Sequence, residues 1–100
     1  MDIRSQREGD LLTVWLEGDV CAESIPATEA FFKDNLGGVK QFVIDCGGVK
    51  KLTKEGVMLL LSTKKKLGEA KMSLINVRED IYDQLDEQGV TTLIDIVKAG

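Results

Sequence analysis

One hundred residues, 43% apolar and 30% charged with a net charge of −4, make one ordinary globular domain with its own core. No stretch nears the ~20 apolar residues of a membrane helix, and no signal-peptide pattern is present. The lysines and arginines are scattered through an acidic chain, unlike the basic footprint of a nucleic-acid binder. A cytoplasmic protein is expected, with neither membrane nor nucleic acid as partner.

The absence of histidine removes Ser-His-Asp chemistry and most zinc sites. Cys21 and Cys46 fall in no CxxC spacing and read as small buried hydrophobes. No phosphate-binding glycine loop occurs, so no cofactor is expected. Lys64-Lys65-Lys66 reads as a solvated helix end, where cations suit the dipole.

In chain order, residues 2–8 suit an edge strand or a mobile terminus, and Glu8-Gly9-Asp10 marks a turn. LLTVWLEGDV alternates, with Leu12, Val14 and Leu16 on one face and Leu11, Thr13 and Trp15 on the other. It predicts the second arm of a hairpin. Ser24 and Pro26 announce a helix with Ala27, Ala30, Phe31 and Leu36 as its apolar positions, closed by Gly37-Gly38. Phe42-Val43-Ile44 is apolar on both faces, as in a central strand covered by helices.

Next come a strand-ending Asp45, a break at Gly47-Gly48, and a helix from about Lys54 to Leu67 with Thr53 as its N-cap. Val57, Leu60, Leu61, Lys64 and Leu67 form its inner stripe. Met58 and Leu59 widen the apolar arc, either as core or as a docking patch; Ser62 and Thr63 read as surface or half-buried positions. Lys71–Val77 predicts a strand with Met72, Leu74 and Asn76 on one side and Ser73, Ile75 and Val77 on the other. Residues 79–88 predict an acidic helix ended by Gly89, and Leu93, Ile94 and Ile96 pack in a last short element. The order β-β-α-β-α-β-α-(β/α) gives an α/β fold, with no repeat and no linker across residues 1–100: one domain.

Glu55, in the first turn of the helix after the central strand, is the residue on which function turns. Free N–H groups and the dipole favour an anion there, and a carboxylate already supplies it.

The chain resembles a STAS domain, the family of bacterial anti-sigma-factor antagonists and of the cytosolic tails of sulfate transporters. Four stretches carry the resemblance over roughly residues 8–97: LEGDVCAESIPATEAFF, FVIDCGGVKKL, LTKEGVMLLL and NVREDIYDQLDEQGVTTLIDI. The third is similar to the family signature D-S-[SA]-G-[LI]-x-x-L. It implies a mixed sheet with parallel βα units and helices mainly on one face.

In antagonists of the family, the second serine of that signature is reversibly phosphorylated by the anti-sigma factor, itself a kinase. The unphosphorylated form binds this partner and the phosphorylated form is released. The signature's aspartate falls on Thr53, its first serine on Lys54, the phosphoserine on Glu55 and the glycine on Gly56. The entry motif's aspartate falls on Cys21, after Gly18, Asp19 and Val20. Both aspartates and the acceptor are therefore replaced, and the motif is degenerate.

A carboxylate cannot accept a phosphoryl group, and its single charge falls below the ~1.5–2 of phosphoserine. The implied module is phosphorylation-independent or a fixed phosphomimetic. Its implied partner is an anti-sigma factor or serine-kinase-like protein, met through Asp19, Cys21, Thr53, Lys54, Glu55, Gly56 and Met58. Thr53 reads as a cap rather than a substitute acceptor, because a hydroxyl bonded to backbone N–H groups is a poor nucleophile. The alternative is a scaffold or oligomerisation module, including a homodimer, of another signalling or transport complex. An enzyme would rest on Asp45, Cys46 and Cys21 near strand ends, with no catalytic motif beside them.

Overall fold

The computed structural model describes residues 1–100. Strand β1 (Asp2–Glu8) and strand β2 (Leu11–Val20) pair antiparallel as a hairpin. Gly9, at φ +61°, opens the two-residue turn, a position where a side chain would be strained. Helix α1 (Ile25–Asn35) leads to strand β3 (Gln41–Leu52), then helix α2 (Lys54–Leu67) and strand β4 (Lys71–Val77). Helix α3 (Glu79–Glu87) and a 3₁₀ turn (Val90–Thr92) precede strand β5 (Asp95–Lys98). The sheet runs β1-β2-β3-β4-β5, with β2 to β5 mutually parallel.

Register explains the core. Leu12, Phe42 and Met72 lie on one rung, and Val14, Ile44 and Leu74 on the next. All six are at most 2% exposed and belong to a single apolar cluster with the inner faces of the helices. The opposite sheet face is solvated. Val43 is only half-buried there, on a rung with Thr13 and Ser73, so the central strand is covered by helices on one face and not on both. Trp15 lies on this same face, half-buried, with the Arg4 guanidinium 5.9 Å from its ring centroid. The helices cover one face of a mixed α/β sheet.

Several local expectations change. Strand β3 does not end at Asp45: it continues through Gly47-Gly48 to Leu52. The glycines mark close backbone approach rather than a break, since a Cβ on Gly48 would sit 2.7 Å from Glu17 Cγ and 3.1 Å from the Leu16 carbonyl. The register between β2 and β3 slips twice here, at Trp15/Glu17 and Gly18/Asp19.

In α1 the buried positions are Thr28 and Phe32, while Ala27 and Ala30 are exposed and Phe31 is half-buried. The Phe32 ring meets Phe42 edge-on at 5.2 Å, which sets the rotation of the helix. Thr28 can be buried because its hydroxyl donates to the Ser24 carbonyl at 2.8 Å. Thr63 in α2 is likewise buried rather than superficial, its hydroxyl donating to the Leu59 carbonyl at 2.7 Å.

Asn76 does not alternate with Leu74 into the core. It adopts φ +54°, which asparagine tolerates, and this local reversal turns Val77 inward to 0% exposure. At the C-terminal end Ile94 is buried and Leu93 is exposed, so Leu93 does not pack as expected. Gly89, at φ +76°, does follow α3 as its sequence position suggested.

Candidate functional site

The irregular half of the β2–β3 pair carries both chains to the N-terminus of α2. After its second slip, Asp19 pairs with Lys51 and Val20 with Leu52. One residue, Thr53, then separates β3 from α2. Its backbone N–H donates to the Val20 carbonyl at 2.9 Å, joining the end of β2 to the start of the helix. Gly56 completes the junction: a Cβ there would meet Val20 Cγ1 at 2.9 Å, the Val20 carbonyl at 3.0 Å and Leu52 Cδ1 at 2.6 Å. Only a residue without a side chain lets α2 approach β2 this closely.

Other side chains fix the carbonyls at the end of β3. Gln84 Nε2 donates to the Leu52 carbonyl at 2.6 Å, and Arg78 Nη2 donates to the Lys50 carbonyl at 3.2 Å. Residues from α3 and its entry thus hold the platform from which α2 starts. Sequence reasoning missed both, because neither position carries a local signal for a partner about thirty residues away.

Thr53 occupies the N-cap position with extended backbone, but its side chain bonds no helix N–H. Its hydroxyl instead donates to the Val20 carbonyl at 3.2 Å. The expected capping bond is therefore replaced. Glu55 is exposed, and its carboxyl is held below the usual carboxylate range. The cause is first its own backbone N–H, then the Thr53 hydroxyl, with Lys54 adding attraction. An anion stabilised at a helix start is what the dipole favours.

The seven predicted partner-binding residues do not share one hollow. Asp19 and Cys21 line a depression beside Glu23, Ser24 and the N-terminal Met1. Glu55 and Met58 line a second, bordered by Ile25 and Glu29 of α1. Thr53 is half-buried and Gly56 buried at the junction, and Lys54 is exposed beside them. Met58 is 59% exposed whereas Leu59 is 5% exposed, so the wide apolar arc of α2 divides into a surface residue and a core residue. Glu29, not anticipated from sequence, stands across the second hollow from Glu55.

The residues considered for catalysis are differently placed. Asp45 accepts from the Gly47 N–H at 2.9 Å and from Asn76 Nδ2 at 2.8 Å, which commits it to the local bend. Cys46 is buried, and desolvation together with the Asp45 charge pushes its thiol up to about 12. It is therefore a protonated core residue at neutral pH. Cys21 lies at the start of the β2–α1 connection, half-buried, and not beside Cys46 in a disulfide.

Neither a family model nor a curated protein matches the chain by sequence. Solved structures do match by shape. An anti-sigma-factor antagonist from Mycobacterium paratuberculosis superposes with TM-score 0.87 at 19% identity, over 96% of this chain and 84% of that one. An anti-sigma-factor antagonist (STAS) domain protein from Planctomyces limnophilus gives 0.83 at 15% identity, over 100% and 92%. The Bacillus cell-fate determinant SpoIIAA in its phosphorylated form gives 0.75 at 13% identity, over 95% and 90%. This likeness, together with the five-stranded mixed sheet and its one-sided helices, establishes that the chain has the fold of a STAS domain.

Proposed function

We propose that this chain is a protein-binding regulatory module of the anti-sigma-factor-antagonist type, working by binding and not by catalysis. We further propose that its partner is an anti-sigma factor or related serine-kinase-like protein, engaged in the cytoplasm through the region where β2 ends and α2 begins. The observation that carries the reading is Glu55. It stands exposed at the helix start, at the position where the family resemblance puts the phosphoacceptor, with its carboxyl stabilised as an anion. Recognition there is independent of phosphorylation, since a carboxylate has no hydroxyl to modify.

Thr53 does not replace the missing serine in this reading. Its hydroxyl proton is already donated to the Val20 carbonyl. A phosphate on it would also face the Glu55 charge at close range, a like-charge contact that opposes modification.

The test measures binding of the candidate regulator to wild type, Glu55→Gln and Glu55→Ser, with and without ATP. Wild type and Glu55→Gln are expected to bind with affinities unchanged by ATP. Glu55→Ser restores an acceptor hydroxyl and is expected to lose affinity as phosphate is incorporated. Absence of regulator binding by all three proteins rejects the role. Binding by wild type that ATP abolishes rejects phosphorylation independence.

A further inference from the structure

The two edges of the sheet differ in how far they are blunted. Strand β5 spans only Asp95–Lys98, and its register against β4 shifts between Leu74 and Val77. Strand β1 pairs with β2 in unbroken register from Asp2 to Glu8 and meets no strand on its other side. It holds neither proline nor lysine, and every residue but Ile3 is exposed. A long, unbulged edge of this kind is a template for a further strand.

The hairpin fixes which backbone groups of β1 are free. Glu8 and Leu11 flank the turn and form its closing hydrogen-bonded pair. Alternation from there directs the N–H and C=O of Gln6 and Arg4 to β2, and those of Arg7, Ser5 and Ile3 outward. The side chains divide in the same way. Arg7 donates to the Asn35 and Gly37 carbonyls on the helix-covered side, at 3.3 and 3.0 Å. Arg4 donates to Glu17 at 3.0 Å beside Trp15 on the solvated side. Both clamps hold the edge in place before any strand is added.

The charges of β1 select its occupant. In an antiparallel pair of two copies, outward residues must face outward residues, so the twofold axis passes through a residue position. Centring on Ser5 sets Asp2 against Glu8 at both ends, and centring on Arg4 sets the two arginines together. Like charges directly opposite are destabilising. Centring on Gln6 instead puts Arg4 of each copy opposite Glu8 of the other, with the two Gln6 amides facing. Centring on Ile3 or Arg7 overlaps too little of the strand. Both charged groups have capacity left: Arg4 commits only Nη2 to Glu17, and Glu8 only Oε1 to Gln6.

We infer that β1 pairs antiparallel with β1 of a second copy, centred on Gln6, and so extends the sheet across a twofold axis. Ser5 and Arg7 of one copy exchange backbone hydrogen bonds with Arg7 and Ser5 of the other. Ion pairs between Arg4 and Glu8 close both ends on the solvated face. This contact goes beyond the proposed regulator contact and does not depend on it.

A contact limited to one strand edge is small and reversible, so sedimentation equilibrium is run from about 10 µM to 1 mM. Wild type is expected to dimerise, with the Ser5 and Arg7 amides gaining exchange protection as concentration rises while Gln6 stays unchanged. Ser5→Pro deletes an outward N–H without touching the β2 ladder, and is expected to weaken the dimer at least about tenfold. Arg4→Glu and Glu8→Arg are each expected to be monomeric alone, because each sets like charges opposite. Mixed in equal amounts they are expected to dimerise, since every charged pair across the axis is then of opposite sign. Circular dichroism melts check the fold of each variant, and if Ser5→Pro unfolds, the mixing experiment decides alone.

Wild type that stays monomeric to about 1 mM overturns the proposal. So does a dimer that a folded Ser5→Pro variant keeps within about twofold of wild type. Single charge variants that dimerise as wild type does, or a mixture that stays monomeric, reject the Gln6-centred register and the proposal with it.

Discussion

The β2–β3 pair has two halves that perform different work. From Leu11 to Trp15, β2 pairs with Gln41 to Asp45 in unbroken register, and every second residue enters the core. From Glu17 to Val20 the register slips twice, Gly48 lies against the Leu16–Glu17 backbone, and the chain reaches the start of α2. The regular half makes stability through apolar burial. The irregular half spends regular pairing to bring Val20, Thr53 and Gly56 together beneath an exposed carboxylate. The contrast separates residues chosen for burial from residues chosen for close approach.

Core truncation tests the regular half most strongly. Ile44→Ala is expected to cost about 2–5 kcal/mol, since its side chain is 0% exposed and leaves a cavity. Val43→Ala, adjacent but on the solvated face, is expected to cost about 1 kcal/mol or less. Urea unfolding of both variants checks the difference. Equal losses would show that the second face is covered as fully as the first.

Gly56→Ala tests the irregular half. Its added methyl meets Val20 and Leu52 at 2.6–3.0 Å, so a destabilisation of about 1–3 kcal/mol is expected, with α2 displaced from β2. Denaturant unfolding gives the energy, and amide shifts at Val20 and Thr53 locate the displacement. An unchanged midpoint with unchanged shifts would remove close approach as the reason for glycine at this position.

The smallest effect is expected at Glu55. Because its folded pKa is lowered, its contribution to stability is fully present above the ordinary value of 4.5 and is lost as pH falls through the folded value. Glu55→Gln should therefore be less stable than wild type at neutral pH, with the gap closing in acid. Urea midpoints across that range measure it. A gap that widens in acid would contradict the stabilised-anion assignment.

These expectations also show what the sequence makes legible. Alternation in LLTVWLEGDV grouped Leu12, Val14 and Leu16 on one face, the face the fold buries, because a strand's period of two is written in local composition. The α/β order, the short final elements and the Gly89 helix stop were readable for the same reason. Gly47-Gly48 misled because glycine signals both turns and close backbone contact, and only the neighbouring strand distinguishes them. The rotation of α1 depended on Phe32 meeting Phe42, a contact between separate elements.

The candidate site was legible in part. Glu55 and its helix start could be found from the strand–helix pattern, and the resemblance supplied their meaning. Glu29 could not be placed beside Glu55, since 26 positions separate them and the packing angle of two helices decides whether they meet. The division between exposed Met58 and buried Leu59 likewise required a helix rotation that their shared apolar character does not specify.

The one-residue passage from β3 to α2 has a mechanical consequence. Thr53 is tied to Val20 through its N–H, so the helix has almost no free length at its root. A load that tilts α2 is transmitted into the central strand and its two parallel neighbours, without a flexible tether to absorb it. The helix that presents Glu55 is thus a lever rooted in the middle of the sheet.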